Sequence, residues 1–218
     1  MPTLSRPPHP PPPVLVTGGP TRAYLDDVRY ISNYSTGELA YEICSALKRA
    51  RIPVVAVIGP TSLPFEKLRL KHLARVESLD QMRSEVLNAC RKYRPSHGVF
   101  SAAVLDFVPA KTAKGKVSSK KRDWVLRLKP APKIIDEVAR KFPRLERIGF
   151  KLEWGAVSST YGRKILAEKA YHALVLNSLS KIKNGRHPAL LVDKDGRTRS
   201  AKTKKEIAAW IRTLVMQR

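Results

Sequence analysis

Acidic residues are scarce in this chain: 18 Asp and Glu stand against 42 Lys and Arg, for a formal net charge of +24 over 218 residues. A field of that sign attracts polyanions. Nucleic acid and phosphorylated metabolites both qualify, and charge alone does not separate them. Cysteine is scarcer still. Cys44 and Cys90 form neither a disulfide framework nor a CxxC pair, and each falls on the apolar side of a predicted helix, as a small core residue. Aromatic residues make up 7% of the chain, which offers few stacking platforms for bases. Zinc-finger, basic-zipper and RNP-type aromatic patterns are missing, and the basic residues are dispersed, though denser after Lys111. These absences weigh against a dedicated nucleic-acid binder. No apolar run approaches a membrane span. The opening MPTLSRPPHPPPP lacks the apolar middle of a signal peptide, so a cytoplasmic location without membrane association is expected. There is no GxGxxG fingerprint, which argues against an ordinary dinucleotide-binding reductase, and no Gly-Lys-Ser/Thr of a Walker A loop. There is also no Ser/His/Asp or Cys/His arrangement for nucleophilic catalysis.

What is present reads as one domain over residues 14–218 behind a Pro-rich, extended tail at 1–13. Short apolar runs alternate with helical periodicity. Residues 13–17, 53–58, 99–103, 148–152 and 173–177 read as buried strands, with a shorter one near 70–76. Ser35 with Glu38, Ser78 with Gln81 and Thr203 with Glu206 match capping boxes opening three helices. Further helices are expected over 132–141 and 159–171. Residues 21–34 read as an irregular loop, 110–122 as a mobile basic loop, and 124–128 as a strand with one wet face. Asp195-Gly196 marks a hairpin near the end. This pattern predicts a Rossmann-like three-layer α/β/α fold with a mostly parallel sheet and an antiparallel edge. In such sheets ligands gather at the carboxyl ends of the strands. Gly18-Gly19 follows the first strand, where glycine lets a phosphate approach the backbone. Ser35-Thr36-Gly37 opens the first helix, whose end suits an anion. Each also has a structural reading, as a tight turn and a helix cap.

The stretch TGGPTRAYLDDVRYISNYSTG (residues 17–37) resembles the signature of the phosphopantothenoylcysteine synthetase (phosphopantothenate–cysteine ligase) family. Further matches follow in order: Ser101-Ala102-Ala103-Val104-Leu105-Asp106, the loop around Lys116, residues 128–134, Gly149-Phe150-Lys151-Leu152-Glu153, and Val175-Leu176-Asn177. The resemblance covers about residues 14–215. It implies that a nucleoside triphosphate activates the carboxylate of 4'-phosphopantothenate and that L-cysteine attacks the acyl-nucleotide. Asn33 would hold the reacting carboxylate region. Ala102 and Ala103 would make backbone contacts to phosphopantothenate, and Asp106 would bind its polar arm. Arg29 would reach the substrate of a neighbouring subunit, which implies a homodimer. Gly19, Ser35 and Gly37 would contact the nucleotide phosphates, with Phe150 and Asn177 near the nucleoside. Lys116 would be the flap lysine. Mg2+ is expected with the triphosphate, and no flavin. CTP is expected ahead of ATP, because the first motif looks bacterial, although residues 150–153 look like stand-alone forms, eukaryotic ones included. A separate phosphopantothenoylcysteine decarboxylase is the implied partner. Three places along the chain depart from the family pattern. Val117-Ser118-Ser119 interrupts the flap lysines, Ser178 stands where an Asp is common, and Ala40 stands where a glycine opens room in the first helix. The net charge of +24 and the altered flap keep a second reading in play: a catalytically impaired relative that binds polyanions or nucleic acid.

Overall fold

A computed structural model describes residues 11–183 and 186–217, so most of the Pro-rich tail lies outside the described residues. The first apolar run forms strand β1 (Val14–Gly18), all of it buried, as a strand covered on both faces must be. The segment read as an irregular loop contains a small antiparallel hairpin, β2 (Arg22–Tyr24) and β3 (Tyr30–Ser32). Its strands are too short for a period-2 pattern to register. Then come α1 (Glu38–Arg49), β4 (Val54–Ile58), β5 (His72–Arg75), α2 (Leu79–Tyr93) and β6 (His97–Phe100). A second small hairpin, β7 (Phe107–Pro109) with β8 (Leu128–Pro130), forms the base of the basic loop. The chain continues through α3 (Ile134–Lys141), β9 (Glu146–Glu153), α4 (Ser159–Lys169) and β10 (Ala173–Ser178). It finishes with the hairpin β11 (Ala189–Asp193) and β12 (Thr198–Ala201), then α5 (Lys204–Met216).

Eight strands form one sheet in the order β5-β4-β1-β6-β9-β10-β11-β12. The first six run parallel, and the last two add the antiparallel edge. From β1 the chain builds outward to β4 and β5 on one side, then crosses back to place β6 on the other. The strand order therefore reverses between β1 and β6, and a crevice opens there at the carboxyl ends. Val14, Val16, Ala56 and Ile58 pack toward α1 and α5. Leu15, Val55 and Val57 pack toward α2 and α3. Full burial of each Val, Leu or Ile among them contributes about 1.5–3 kcal/mol. Cys44 and Cys90 are buried on α1 and α2; burial pushes both thiols up, Cys90 to about 12, so neither supplies a thiolate at neutral pH.

Two local expectations need correction. The Ser78–Gln81 capping box forms in full, Thr203 caps the Glu206 amide at 3.2 Å while the Glu206 carboxylate accepts from the Lys202 amide instead of that of Thr203, and the Ser35–Glu38 box does not form. Gly37 takes the N-cap position of α1 at φ 77°, and the Ser35 hydroxyl accepts instead from the Gly37 amide at 3.4 Å. The cause is tertiary: Thr61, after β4, donates to the Thr36 carbonyl at 2.7 Å and bends the chain over itself. The strand expected over 124–128 starts only at Leu128. Trp124 lies beneath the Arg29 guanidinium, 5.3 Å from the ring centre, rather than in a ladder.

Candidate active site

The crevice between β1 and β6 is stitched by polar groups from both strand ends. Ser101 Oγ donates to the Thr17 carbonyl at 2.7 Å, and the Ala102 amide donates to Thr17 Oγ1 at 3.3 Å. The Ala103 amide donates to the Gly19 carbonyl at 2.9 Å, and the Leu105 amide to buried Thr21 Oγ1 at 3.2 Å. The amides of Ala102 and Ala103 are thus committed within the chain. Asn33 Nδ2 donates to the Val104 carbonyl at 3.0 Å, which sets an exposed asparagine on the strand end that carries the Ala-Ala-x-x-Asp motif. Asp106 lies three residues after Ala103, exposed and paired with Lys133 Nζ at the start of α3. Asn33, Ala102, Ala103 and Asp106 therefore meet at one end of the sheet.

Gly19, Ser35 and Gly37, which the resemblance assigns to the nucleotide, lie next to them. Gly19 sits at φ 72° in a turn where an added Cβ would come within 3.0 Å of the Gly59 carbonyl oxygen. Gly37 closes the same region at the N-terminus of α1, against Thr61. Lys204, on α5, pairs with Glu38 in the first turn of α1 and brings a cation to that helix end. Ala40, which stands where the resemblance has a glycine, lies in the first turn of α1. It is buried, and a Cβ built on Gly18 would lie 2.2 Å from the Ala40 Cβ, so the methyl fills the seam between α1 and β1. Phe150 and Asn177 belong to β9 and β10, farther along the sheet. Phe150 is half-buried against the apolar core. Asn177 is buried and donates to the Pro188 carbonyl at 3.0 Å, and neighbouring Ser178 shares a hydrogen bond with Ser180.

Besides Lys133 and Lys204, sequence reasoning missed Asp26. Its side chain has no exposed surface, yet it is charged. It accepts from the amides of Val28 (2.9 Å), Arg29 (2.8 Å) and Val117 (3.0 Å), and from the Arg29 guanidinium at 2.6 Å. Burial pushes its pKa up, but the three amides and Arg29 outweigh that and hold it below the usual carboxylate range. Arg29 also donates to the Val117 carbonyl at 3.1 Å, and Asp27 accepts from the Gly115 amide at 3.0 Å. Exposed Lys116 is therefore held between two flap amides anchored to the Asp26-Asp27 turn. Arg29, expected to serve a neighbouring subunit, is tied within its own chain and would have to share or release that hold to do so. The clue in the sequence was the pair Asp26-Asp27 in a chain otherwise poor in acid. Under the flap lies a cavity of about 520 Å³ lined by Leu25, Pro109, Thr112, Trp124 and Leu126 among others.

This is a doubly wound α/β domain whose switch point between β1 and β6 carries glycine turns and the N-terminus of α1, the place where such sheets gather ligands. Residues 12–218 match the family model described as the DNA/pantothenate metabolism flavoprotein C-terminal domain, and the chain belongs to that family, that of the phosphopantothenoylcysteine synthetases. It is 30% identical over 199 residues to the coenzyme A biosynthesis bifunctional protein CoaBC of Thermococcus kodakarensis, covering 89% of this chain and 48% of that protein. The chain thus spans about half the length of such relatives. Among solved structures, the DNA/pantothenate metabolism flavoprotein from Streptococcus pneumoniae superposes with a TM-score of 0.81 at 27% identity, covering 94% of this chain and 98% of the other. The C-terminal domain of a CoaBC protein superposes with a TM-score of 0.74, also at 27% identity, over 93% of each chain.

Proposed function

We propose that the chain is a phosphopantothenate–cysteine ligase. The observation that carries this reading is the Asn33 Nδ2 to Val104 carbonyl hydrogen bond, which joins the two motifs of the resemblance at the switch-point crevice. A carboxylate oxygen of 4'-phosphopantothenate attacks the α-phosphorus of the nucleoside triphosphate, CTP ahead of ATP. Pyrophosphate leaves, and an acyl-nucleotide with a mixed anhydride remains. The amine of L-cysteine then attacks the acyl carbon. The amide forms, the nucleoside monophosphate departs and the amine gives up its proton. The chemistry asks for alignment and for neutralised charge rather than a protein nucleophile, which suits a site built of glycine turns, Asn33 and lysines.

In this reading Asn33 orients the reacting carboxylate, and Lys116, presented by the Asp26-anchored flap, faces the triphosphate and the acyl-nucleotide. Gly19, Ser35 and Gly37 border the phosphates. Mg2+, carried by phosphate oxygens and water, would neutralise triphosphate charge. The carboxylates near the crevice fit that arrangement: Asp26 and Asp27 are engaged by backbone amides and Asp106 by Lys133, so they form no ready cage. A homodimer is supported by Tyr24, Val28, Tyr30, Phe107 and Leu128, apolar side chains exposed on the two small hairpins. A separate phosphopantothenoylcysteine decarboxylase would consume the product. The test is turnover. Pyrophosphate release should depend on phosphopantothenate and nucleotide, and product on cysteine. Unchanged turnover in Asn33→Ala would overturn the mechanism.

A further inference from the structure

At the end of the sheet opposite the crevice, three side chains far apart in sequence converge. His97 opens β6, Glu146 opens β9, and His172 immediately precedes β10. These are three neighbouring parallel strands, and His97 and Glu146 are register partners. The backbone is interlocked here: the Glu146 amide donates to the Ser96 carbonyl at 3.0 Å, and the His172 amide to the Arg147 carbonyl at 2.8 Å. Glu146 Oε2 lies 2.7 Å from His97 Nε2 and 3.3 Å from His172 Nδ1. One donor atom from each residue falls within 4.8 Å of the others.

We propose that His97, Glu146 and His172 form a binding site for a divalent transition metal of the Zn2+ type. Two imidazoles and one carboxylate are a donor set such ions accept, with a fourth position for water. Ligands at about 2.0–2.1 Å around a tetrahedral ion stand about 3.3 Å apart. The His172–Glu146 separation of 3.3 Å already matches that, and the His97–Glu146 pair, at 2.7 Å, needs to open by about 0.6 Å. The second shell is built as well. His97 Nδ1 lies 3.0 Å from Ser96 Oγ, which fixes the ring with Nε2 toward the cluster. His97 and His172 are largely buried, whereas Glu146 is half-exposed and gives an ion a way in. The site stands apart from the crevice, so it would brace the sheet rather than take part in turnover.

The experiment is titration of the full chain, without an affinity tag, with Zn2+ by calorimetry and with Co2+ by visible absorption. No nucleotide is present, so Mg2+ chemistry at the crevice plays no part. One equivalent of Zn2+ should bind, with a tetrahedral Co2+ band and a rise in Tm. His172→Gln and Glu146→Gln should each weaken binding at least about tenfold and lose the Co2+ band, while turnover without added Zn2+ stays near wild type. Two variants at the less buried positions guard against a folding defect in either one. Absence of a one-to-one event in the wild type overturns the proposal, and so does unchanged affinity in both variants.

Discussion

Asp26 gathers three backbone amides and one guanidinium onto a fully buried carboxylate, and two of its partners belong to other jobs: Arg29 to the signature loop, Val117 to the flap. Asp26→Asn leaves a side chain of nearly the same shape but removes the charge that holds Arg29. Lys116 then loses its fixed position, and a misplacement of about 1 Å at a reacting centre costs about a hundredfold. The variant should therefore stay folded by circular dichroism while kcat falls by about that factor. Unchanged kcat would mean that the flap needs no anchor. A second residue-scale test concerns the seam between Gly18 and Ala40. Gly18→Ala should destabilise by about 1–3 kcal/mol through overpacking, and Ala40→Gly by about 1 kcal/mol through helix propensity. The double variant should cost clearly less than the sum, because the second change removes the methyl that the first one strikes. Urea unfolding measures all three, and strict additivity would place Ala40 elsewhere. Ala40→Gly should not raise activity, since its methyl faces β1.

At the scale of elements, α2 and α3 are joined by one carboxylate. Glu137 accepts from Arg83 Nε at 2.5 Å and Nη2 at 2.8 Å, and from Lys141 Nζ at 2.8 Å. Arg83 first and Lys141 second pull its pKa from 4.5 to about 2. A depressed folded-state pKa stabilises above the unfolded value and loses that contribution as pH falls through the window, here from 4.5 to about 2. Wild-type stability should decline across that range, and Glu137→Gln should be less stable at pH 7 with a shallower decline. A parallel fall in both proteins would contradict the assignment. The same elements show what was legible in the sequence. The buried strands, the Ser78 cap and the late hairpin follow from local patterns, so they were readable. The α1 cap was not, because Thr61 arrives from another loop and shifts the helix start to Glu38. The two small hairpins were not either, because strands of three residues carry no period and are set by the flap and the signature loop folding together. Of the candidate site, the residues at the crevice were named from motif order. Asp26, Lys133 and Lys204 went unseen because their roles lie in contacts that only the fold creates.

For the whole molecule, the excess of 24 positive charges sets the field in which the crevice works. Anionic substrates should be drawn in, and polyanions such as heparin or RNA should compete. That competition should weaken steeply between low and high salt, because exposed charges separated by more than about 10 Å are screened at 0.1 M. Inhibition indifferent to salt would place the polyanion contact elsewhere than on the charged surface. If the chain instead bound polyanions tightly and turned over nothing, the impaired-relative reading would replace the ligase. The most direct measurement separates the two. Purified chain is mixed with 4'-phosphopantothenate, Mg2+ and either CTP or ATP, with and without L-cysteine, and pyrophosphate and amide product are quantified. The ligase account predicts phosphopantothenate-dependent pyrophosphate release, faster with CTP, cysteine-dependent formation of phosphopantothenoylcysteine, and loss of both in Asn33→Ala. No product with either nucleotide, or full activity in Asn33→Ala, would contradict it.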